Sequence, residues 1–308
     1  MADCAKVMDF NRRSFCFLEN WSGLNYPFHT EGGILMLIST NSGLYSARPN
    51  DLRVPMAEAM DFFGRMGFEA VDVNFAASIY VEPEKHEPIL DGDWQQNLDT
   101  VLAAIRRNNL VVSHTHLPFY NYEMEDKERL AFCDQMTYRA IDASAYIGAK
   151  YAVIHPQRDA EKHTLVDRTV ALLTPFNEYA KARGVTLCVE NMYTTYPEEL
   201  REIVDRMACG ACWDVGHANF GKHPQYESMT LLGKRIRVLH LHDNYGTRDD
   251  HSMPYFGTID WDEIMRALRD IGYEGTFNYE VAATHLPMAL REDHARYLVD
   301  AAKLLLGR

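Results

Sequence analysis

Two periodicities take turns along the chain. Gly33 to Thr40 (GILMLIST) is a short apolar run that predicts a strand, whereas from Val54 to Gly67 the apolar positions fall at Met56, Met60, Phe63 and Met66, one face of a helix. The alternation continues with strand Phe68 to Phe75, helix Trp94 to Asn109, strand Leu110 to His116, helix Glu125 to Gly148, strand Tyr151 to His155 and helix His163 to Arg183, which Gly184 ends. Strand Val185 to Glu190, helix Pro197 to Met207, strand Cys209 to Asp214, helix Pro224 to Lys234 and a strand from Ile236 follow. Helix Asp260 to Ile271, strand Thr276 to Val281 and a helix from about Pro287 to Leu306 complete the series. About eight βα units recur at intervals of roughly 25 to 40 residues, with no Pro-rich or Ser-rich linker between them. The pattern predicts an α/β fold, a (β/α)8 barrel forming one domain over residues 33–308 behind an N-terminal extension of residues 1–32. An open doubly wound sheet is the alternative, but Ser39 to Gly43 (STNSG) is not the Gly-rich nucleotide turn such sheets carry after their first strand.

Within this series, Ile236 to Trp261 holds the densest chemistry. Ile236, Val238, His240 and His242 share one face of a strand, and Leu239 and Leu241 the other. The strand runs into a polar loop carrying Asp243, Arg248, Asp249, Asp250 and His251, which closes on Gly257. Asp260 and Glu263 then predict a capping box on the next helix.

Composition narrows the class. The 308 residues are 47% hydrophobic, enough to bury the core of one large barrel or of two ordinary domains. No stretch stays apolar for the ~20 residues of a membrane span. The N-terminal MADCAKVMDFNRR lacks the pattern of a signal peptide, so a cytoplasmic protein is expected. Of the six cysteines, Cys16, Cys133 and Cys188 lie in apolar surroundings, and Cys209 and Cys212 form a lone CxxC without a second pair, so core packing is expected rather than zinc or redox chemistry. Lys plus Arg number 31 against 44 for Asp plus Glu, and the formal charge of −13 argues against a polyanionic partner such as nucleic acid.

The polar positions change the picture most. His114 and His116, His155, Glu190, Asp214, His240 and His242, and Glu280 stand at the C-terminal ends of six successive strands, the third to the eighth. Strand parity puts Thr186 and Cys188 on the inward face with Glu190, and Asn278 with Glu280, while Leu187, Val189, Phe277 and Tyr279 turn outward to the helices. In a barrel these ends converge on one mouth, where the active sites of this architecture lie. Buried carboxylates need partners, and a divalent cation is the simplest partner for several carboxylates and an imidazole. Such mixed ligands suit Mn²⁺, Co²⁺, Fe²⁺ or Zn²⁺ more than Ca²⁺.

Seven short motifs carry a resemblance. HTHLP at 114–118, IHP at 154–156, VENM at 189–192, WDVGH at 213–217, HLHDN at 240–244, DDH at 249–251 with Gly257 and IDW behind it, and YEV at 279–281 resemble, in family order, the xylose isomerase-like TIM barrels. That superfamily includes sugar and sugar-phosphate isomerases, epimerases, inosose dehydratases and endonuclease IV, and the resemblance runs from about residue 33 to 306. It implies one divalent metal ion (Mn, Co, Mg, Fe or Zn) on Glu190, Asp214, His240 and Glu280. His240 is preferred to His242 because the family pattern reads His-x-x-Asp and Asp243 stands three after His240, with a hydrogen-bonding or alternative ligand role for His242 left open. His217 matches a substrate-contacting histidine of epimerases and a metal ligand of the endonuclease, and His116, His155, Asp249 and His251 match the endonuclease's extra zinc ligands.

The resemblance implies a metal-dependent isomerase or epimerase of a sugar, polyol or sugar derivative. Glu190 and Glu280 would abstract and return a proton next to a metal-polarised carbonyl, with His116, His155, His217, His242, Arg248 and His251 as substrate-binding candidates. The loops expected at the rim are acidic: residues 76–93 carry a net charge of −4 and residues 117–128 a net of −3, which repels a duplex and disfavours the endonuclease. Tyr80, Phe119, Tyr120 and Tyr122, with Trp21 of the extension, could stack on a sugar ring or simply pack under long loops. Tyr196 stands six after Glu190, near where ketose epimerases often carry an extra carboxylate. An abasic-site nuclease with a zinc cluster, an inosose dehydratase-type lyase and a non-catalytic sugar-binding barrel therefore stay open beside the isomerase reading, as do the substrate and a homo-oligomeric state.

Overall fold

The structure, a computed structural model, describes residues 36–46, 54–82, 85–157, 164–284 and 286–308. The expected extension with Cys16 and Trp21, the start of the first strand at Gly33, and Glu84 and His163 lie outside the described residues.

Eight parallel strands form the sheet: β1 (Ile38–Asn41), β2 (Ala70–Asn74), β3 (Val111–His116), β4 (Tyr151–Ile154), β5 (Thr186–Glu190), β6 (Gly210–Asp214), β7 (Ile236–His240) and β8 (Phe277–Tyr279). They pair in the order β7-β6-β5-β4-β3-β2-β1-β8. Leu241 closes the ring, donating its N–H to Asn278 O (2.9 Å) and accepting from Glu280 N (3.0 Å). The result is a (β/α)8 TIM barrel, as the alternating periodicities predict. Helices α1 (Met56–Met66), α2 (Trp94–Arg107), α3 (Lys127–Tyr146), α4 (Leu165–Lys181), α5 (Pro197–Met207), α6 (Val215–Phe220), α7 (Gln225–Leu232), α8 (Trp261–Asp270) and α9 (Met288–Leu306) follow the strands. Among the described residues, no helix is long and apolar enough to cross a membrane.

Local chemistry sets the helix ends. Gly67 ends α1 at φ 94°, a left-handed position where its N–H reaches Phe63 O. Asp126 and Asp260 cap α3 and α8 by accepting from the N–H groups of Arg129 (2.9 Å) and Glu263 (3.1 Å). The outward residues Leu187, Val189, Phe277 and Tyr279 are fully buried beneath the helices, as parity predicts. Cys188 and Cys212 pack with Val153 and Val238 in a buried cluster, and burial pushes both thiols well above the ordinary thiol range. Among the described residues Cys133, Cys188 and Cys212 are buried free thiols, and Cys209 is a partly buried one.

Two departures from the predicted elements bear on the site. Pattern alone gives nothing between Asp214 and Pro224, yet α6 forms there because Asp214 Oδ1 accepts from His217 N at 2.6 Å and starts a helix directly off the strand. Regular pairing of β7 stops at His240, so His242 lies past the strand proper.

Candidate active site

The C-terminal ends of β5, β6 and β7 and the residue after β8 bring Glu190, Asp214, His240 and Glu280 together, with one donor atom of each within 4.8 Å of the others. His240 Nδ1 lies 3.1 Å from Glu190 Oε1, 3.1 Å from Glu280 Oε2 and 4.0 Å from Asp214 Oδ2. The second Glu190 oxygen faces His116 Nε2 at 3.4 Å and His155 Nε2 at 3.2 Å, but it is fully buried and completes no hydrogen bond of sound geometry. His217 Nδ1 stands 3.3 Å from Glu190 Oε1.

Backbone contacts fix these groups. Asn191 pins the end of β6 by accepting from Asp214 N (2.7 Å) and donating to Asp214 O (2.8 Å). Its own carbonyl accepts from His217 Nδ1 at 2.9 Å. Asn41 Nδ2 reaches Glu280 Oε1 at 3.5 Å from β1, across the closure of the barrel.

His217 Nε2 and His251 Nε2 both contact Asp249 Oδ2, at 3.2 and 3.1 Å. His251 adopts φ 47°, unusual for a residue with a Cβ, and is held there by Nδ1 against Glu280 O (2.7 Å) and by Ala282 N donating to His251 O (2.9 Å). His242 is fully buried, contacts Asp214 Oδ2 through Nε2 at 3.1 Å and stacks on His251 with ring centroids 4.0 Å apart. It leaves no room for a side chain at Gly216, where a Cβ would sit 1.9 Å from the ring, which accounts for the glycine of WDVGH. Arg248 stands apart: its side chain is 82% exposed and paired with Asp250.

Burial alone would raise the Glu190 carboxyl, but the His240 imidazolium beside it holds it well below the usual carboxylate range. His217 is driven the other way: against burial, Asp214 and Asp249 raise it well above an ordinary histidine. Against burial too, the hydrogen bond to Asp249 lifts His251 to about 9. Burial pushes His155 down.

Three carboxylates and an imidazole held by strands fit a divalent cation of the first transition row. Donors sharing one such ion through bonds of roughly 2.0–2.2 Å lie about 3–4 Å apart, the scale of the separations here, and the incompletely bonded Glu190 oxygen has a use for one. His217, Asp249 and His251 form a second group with donors within 4.8 Å.

Of the residues singled out from sequence, Glu190, Asp214, His240, Glu280, His116, His155 and His217 share this cluster, His251 and His242 border it, and Arg248 does not reach it. Asn41 and Asp72 are not singled out by the sequence, and Asn191 and Asp243 stand there only as motif positions with no role of their own. Asp72 could have been found as the one charge inside the apolar alternation AVDVN.

Residues 61–303 match the sequence profile of a family described as xylose isomerase-like TIM barrel. Matches with the first curated relatives span about half of those proteins' lengths, 50% and 54%. A fructoselysine 3-epimerase of Shigella flexneri is 24% identical over 180 residues, covering 54% of this chain and 65% of that protein. Among solved structures, a D-psicose 3-epimerase determined in the presence of D-fructose superposes with a TM-score of 0.70 at 16% identity, over 89% of this chain and all of that one. An IolI protein with a bound zinc atom superposes with a TM-score of 0.68 at 17% identity, over 88% and 98% of the two chains.

Proposed function

The chain belongs to the xylose isomerase-like TIM barrel family, and from that premise we propose that it is a metal-dependent isomerase or epimerase of a sugar, polyol or sugar derivative. The observation that carries this reading is the placement of Glu190 and Glu280 on either side of one histidine nitrogen, each 3.1 Å from His240 Nδ1, from strands well separated around the barrel. The fructoselysine 3-epimerase and D-psicose 3-epimerase likenesses support a small carbohydrate as substrate, and the zinc-bearing IolI likeness supports a cation.

Glu190, Asp214, His240 and Glu280 would hold the cation, which when bound would supply Lewis-acid polarisation of a substrate carbonyl. The two glutamates approach the substrate from different sides, so one takes the proton from the carbon beside the carbonyl and the other returns one to the opposite face. His116 and His155 turn their Nε2 atoms toward one Glu190 oxygen and are positioned to orient it and to meet substrate hydroxyls, while His217 faces the other Glu190 oxygen and His251 adjoins Glu280. His242 lies beneath His251 and orients Asp214.

The second reading, an abasic-site nuclease, draws on the His217, Asp249 and His251 group, which could hold a further cation. The acidic loops after β2 and β3 oppose it, because binding a nucleic-acid backbone depends on cationic side chains. The test is elemental analysis of the purified protein followed by incubation with ketoses, inososes and abasic DNA. One cation per chain with epimer formation is expected; two or three cations with strand cleavage would overturn the isomerase reading.

A further inference from the structure

Below the mouth, this barrel is polar where such an interior is normally filled by branched apolar side chains. Asp72 on β2 and His114 on β3 are register partners, and both are buried. His114 Nε2 lies 3.7 Å from Asp72 Oδ2, too far for a direct hydrogen bond. One donor atom each of Asp72, His114 and His240 lie within 4.8 Å of one another. Asp72 Oδ1, Asp72 Oδ2, His114 Nε2 and His240 Nε2 are all buried without a hydrogen-bond partner. His240 Nδ1 already faces Glu190 and Glu280, so Nε2 is the nitrogen left for this lower group. His114 is itself fixed from behind, through Nδ1 to Ser113 Oγ (2.8 Å) and from there to Thr276 Oγ1 (2.5 Å). Four unpartnered polar atoms gathered in one place are a poor packing solution, and an aliphatic side chain at position 72 would serve the fold better.

We propose that Asp72 is the positioning residue for His240, accepting the proton on Nε2 across one water that His114 also holds. Two hydrogen bonds of ordinary length meeting at a water span about 4.6 Å, which suits separations of 3.7 to 4.8 Å. A histidine that presents one nitrogen to a cation commonly gives the other N–H to a carboxylate, which fixes ring orientation and tautomer. With Nε2 held from below, the Nδ1 lone pair is aimed at the space between Glu190, Asp214 and Glu280. The inference rests on the cation-binding reading above and deepens it.

The test measures Co²⁺ affinity by chelator competition, together with thermal stability, for wild type, Asp72→Leu and Asp72→Asn. Loss of an outer carboxylate of this kind costs roughly 10- to 100-fold in metal affinity. Asp72→Leu should therefore bind Co²⁺ weaker by that factor while melting no lower than wild type, because it replaces a costly buried carboxylate with an aliphatic side chain. Asp72→Asn keeps an acceptor oxygen and should recover most of the affinity. Co²⁺ binding by Asp72→Leu within about two-fold of wild type, or weakened only in step with a lowered Tm in both variants, would overturn the proposal. A second arm uses metal-free protein: ¹⁵N-edited spectra should show a downfield His240 Nε2–H in wild type that is lost in Asp72→Leu, and the same signal in both would overturn it too. Failure of the wild-type protein itself to bind Co²⁺ would instead strike the cation-binding reading and leave this spectroscopic arm standing.

Discussion

Asp243 gives the most quantitative prediction. It is fully buried at the start of the β7–α8 loop, and its carboxylate accepts four hydrogen bonds: Oδ1 from Asn244 N (2.9 Å) and Ile259 N (3.2 Å), Oδ2 from Tyr255 N (3.0 Å) and Trp261 Nε1 (3.1 Å). Gly257 packs so close that a Cβ there would sit 2.2 Å from Oδ1. Asp243→Asn keeps the shape but turns one oxygen into a donor that faces two N–H groups. Hydrogen bonds to a charged acceptor contribute roughly 1.5–3 kcal/mol each, and two coupled losses should cost about 3–4 kcal/mol. The loop is tied to the strands by the Asp243–Ser252 backbone pair (2.8 and 2.9 Å) and by Ala282 N to His251 O, so the loss should reach global stability rather than stay local. Urea denaturation supplies the number, and amide exchange at Tyr255 and Ile259 reports the loop directly. The cation site is built from strand ends and should keep its metal, whereas KM should rise because Asp249 and His251 ride on the loop. A destabilisation below about 1 kcal/mol, with unchanged exchange at both amides, would refute the reasoning.

Glu190→Gln and Glu280→Gln should each abolish turnover even where metal is retained, measured by product formation with quantified metal; wild-type rates in either variant would remove the glutamate pair from the mechanism. Product formed in D₂O should carry deuterium at the carbon beside the carbonyl, and full retention of the original hydrogen in single turnovers and at equilibrium would point to hydride transfer. His251→Ala should weaken substrate handling while metal content stays near one per chain, checked by elemental analysis. In the metal-free protein, the His251 imidazole is raised from 6.5 to about 9, so its contribution to stability is full below about pH 6.5 and lost as pH rises through about 9. Urea midpoints should therefore fall across that window, the unfolding free energy dropping by up to about 3 kcal/mol, and a flat profile from pH 6.5 to 9.5 would contradict it.

The fold was legible because two periods, near two and near 3.6 residues, alternate eight times with little interruption. The candidate site was legible for a related reason: polar side chains at the ends of apolar strands carry their own position once the barrel is assumed. Glu190 and Glu280 could thus be placed on the inward face from parity alone. Contacts that cross between strands distant in sequence were not legible. Asn41 meets Glu280 only because β1 pairs with β8, and nothing local in STNSG announces it. Arg248 is placed by contacts the sequence does not rank. A cation in a loop rich in carboxylates looks like a substrate clamp, yet the nearest carboxylate, Asp250, holds it at the exposed rim. The α6 turn was hidden because its cap, Asp214, looks like a site residue and does both tasks, offering Oδ1 to the helix and Oδ2 to the histidines.

That double use describes how the barrel carries so many charges. A buried carboxylate with no partner is very costly, but each carboxylate at the mouth is also a structural acceptor or sits among imidazoles. Asp214 caps α6, Glu280 meets Asn41, and Glu190 stands among His116, His155, His217 and His240. Asp72 is the exception. Burial pushes its carboxyl up to about 7, and neither oxygen has a hydrogen-bond partner, although its own strand supplies Val71 and Val73 for packing on the other face. A buried carboxyl kept beside His240 where the fold gains nothing from it is better understood from the chemistry of that histidine than from the packing around it.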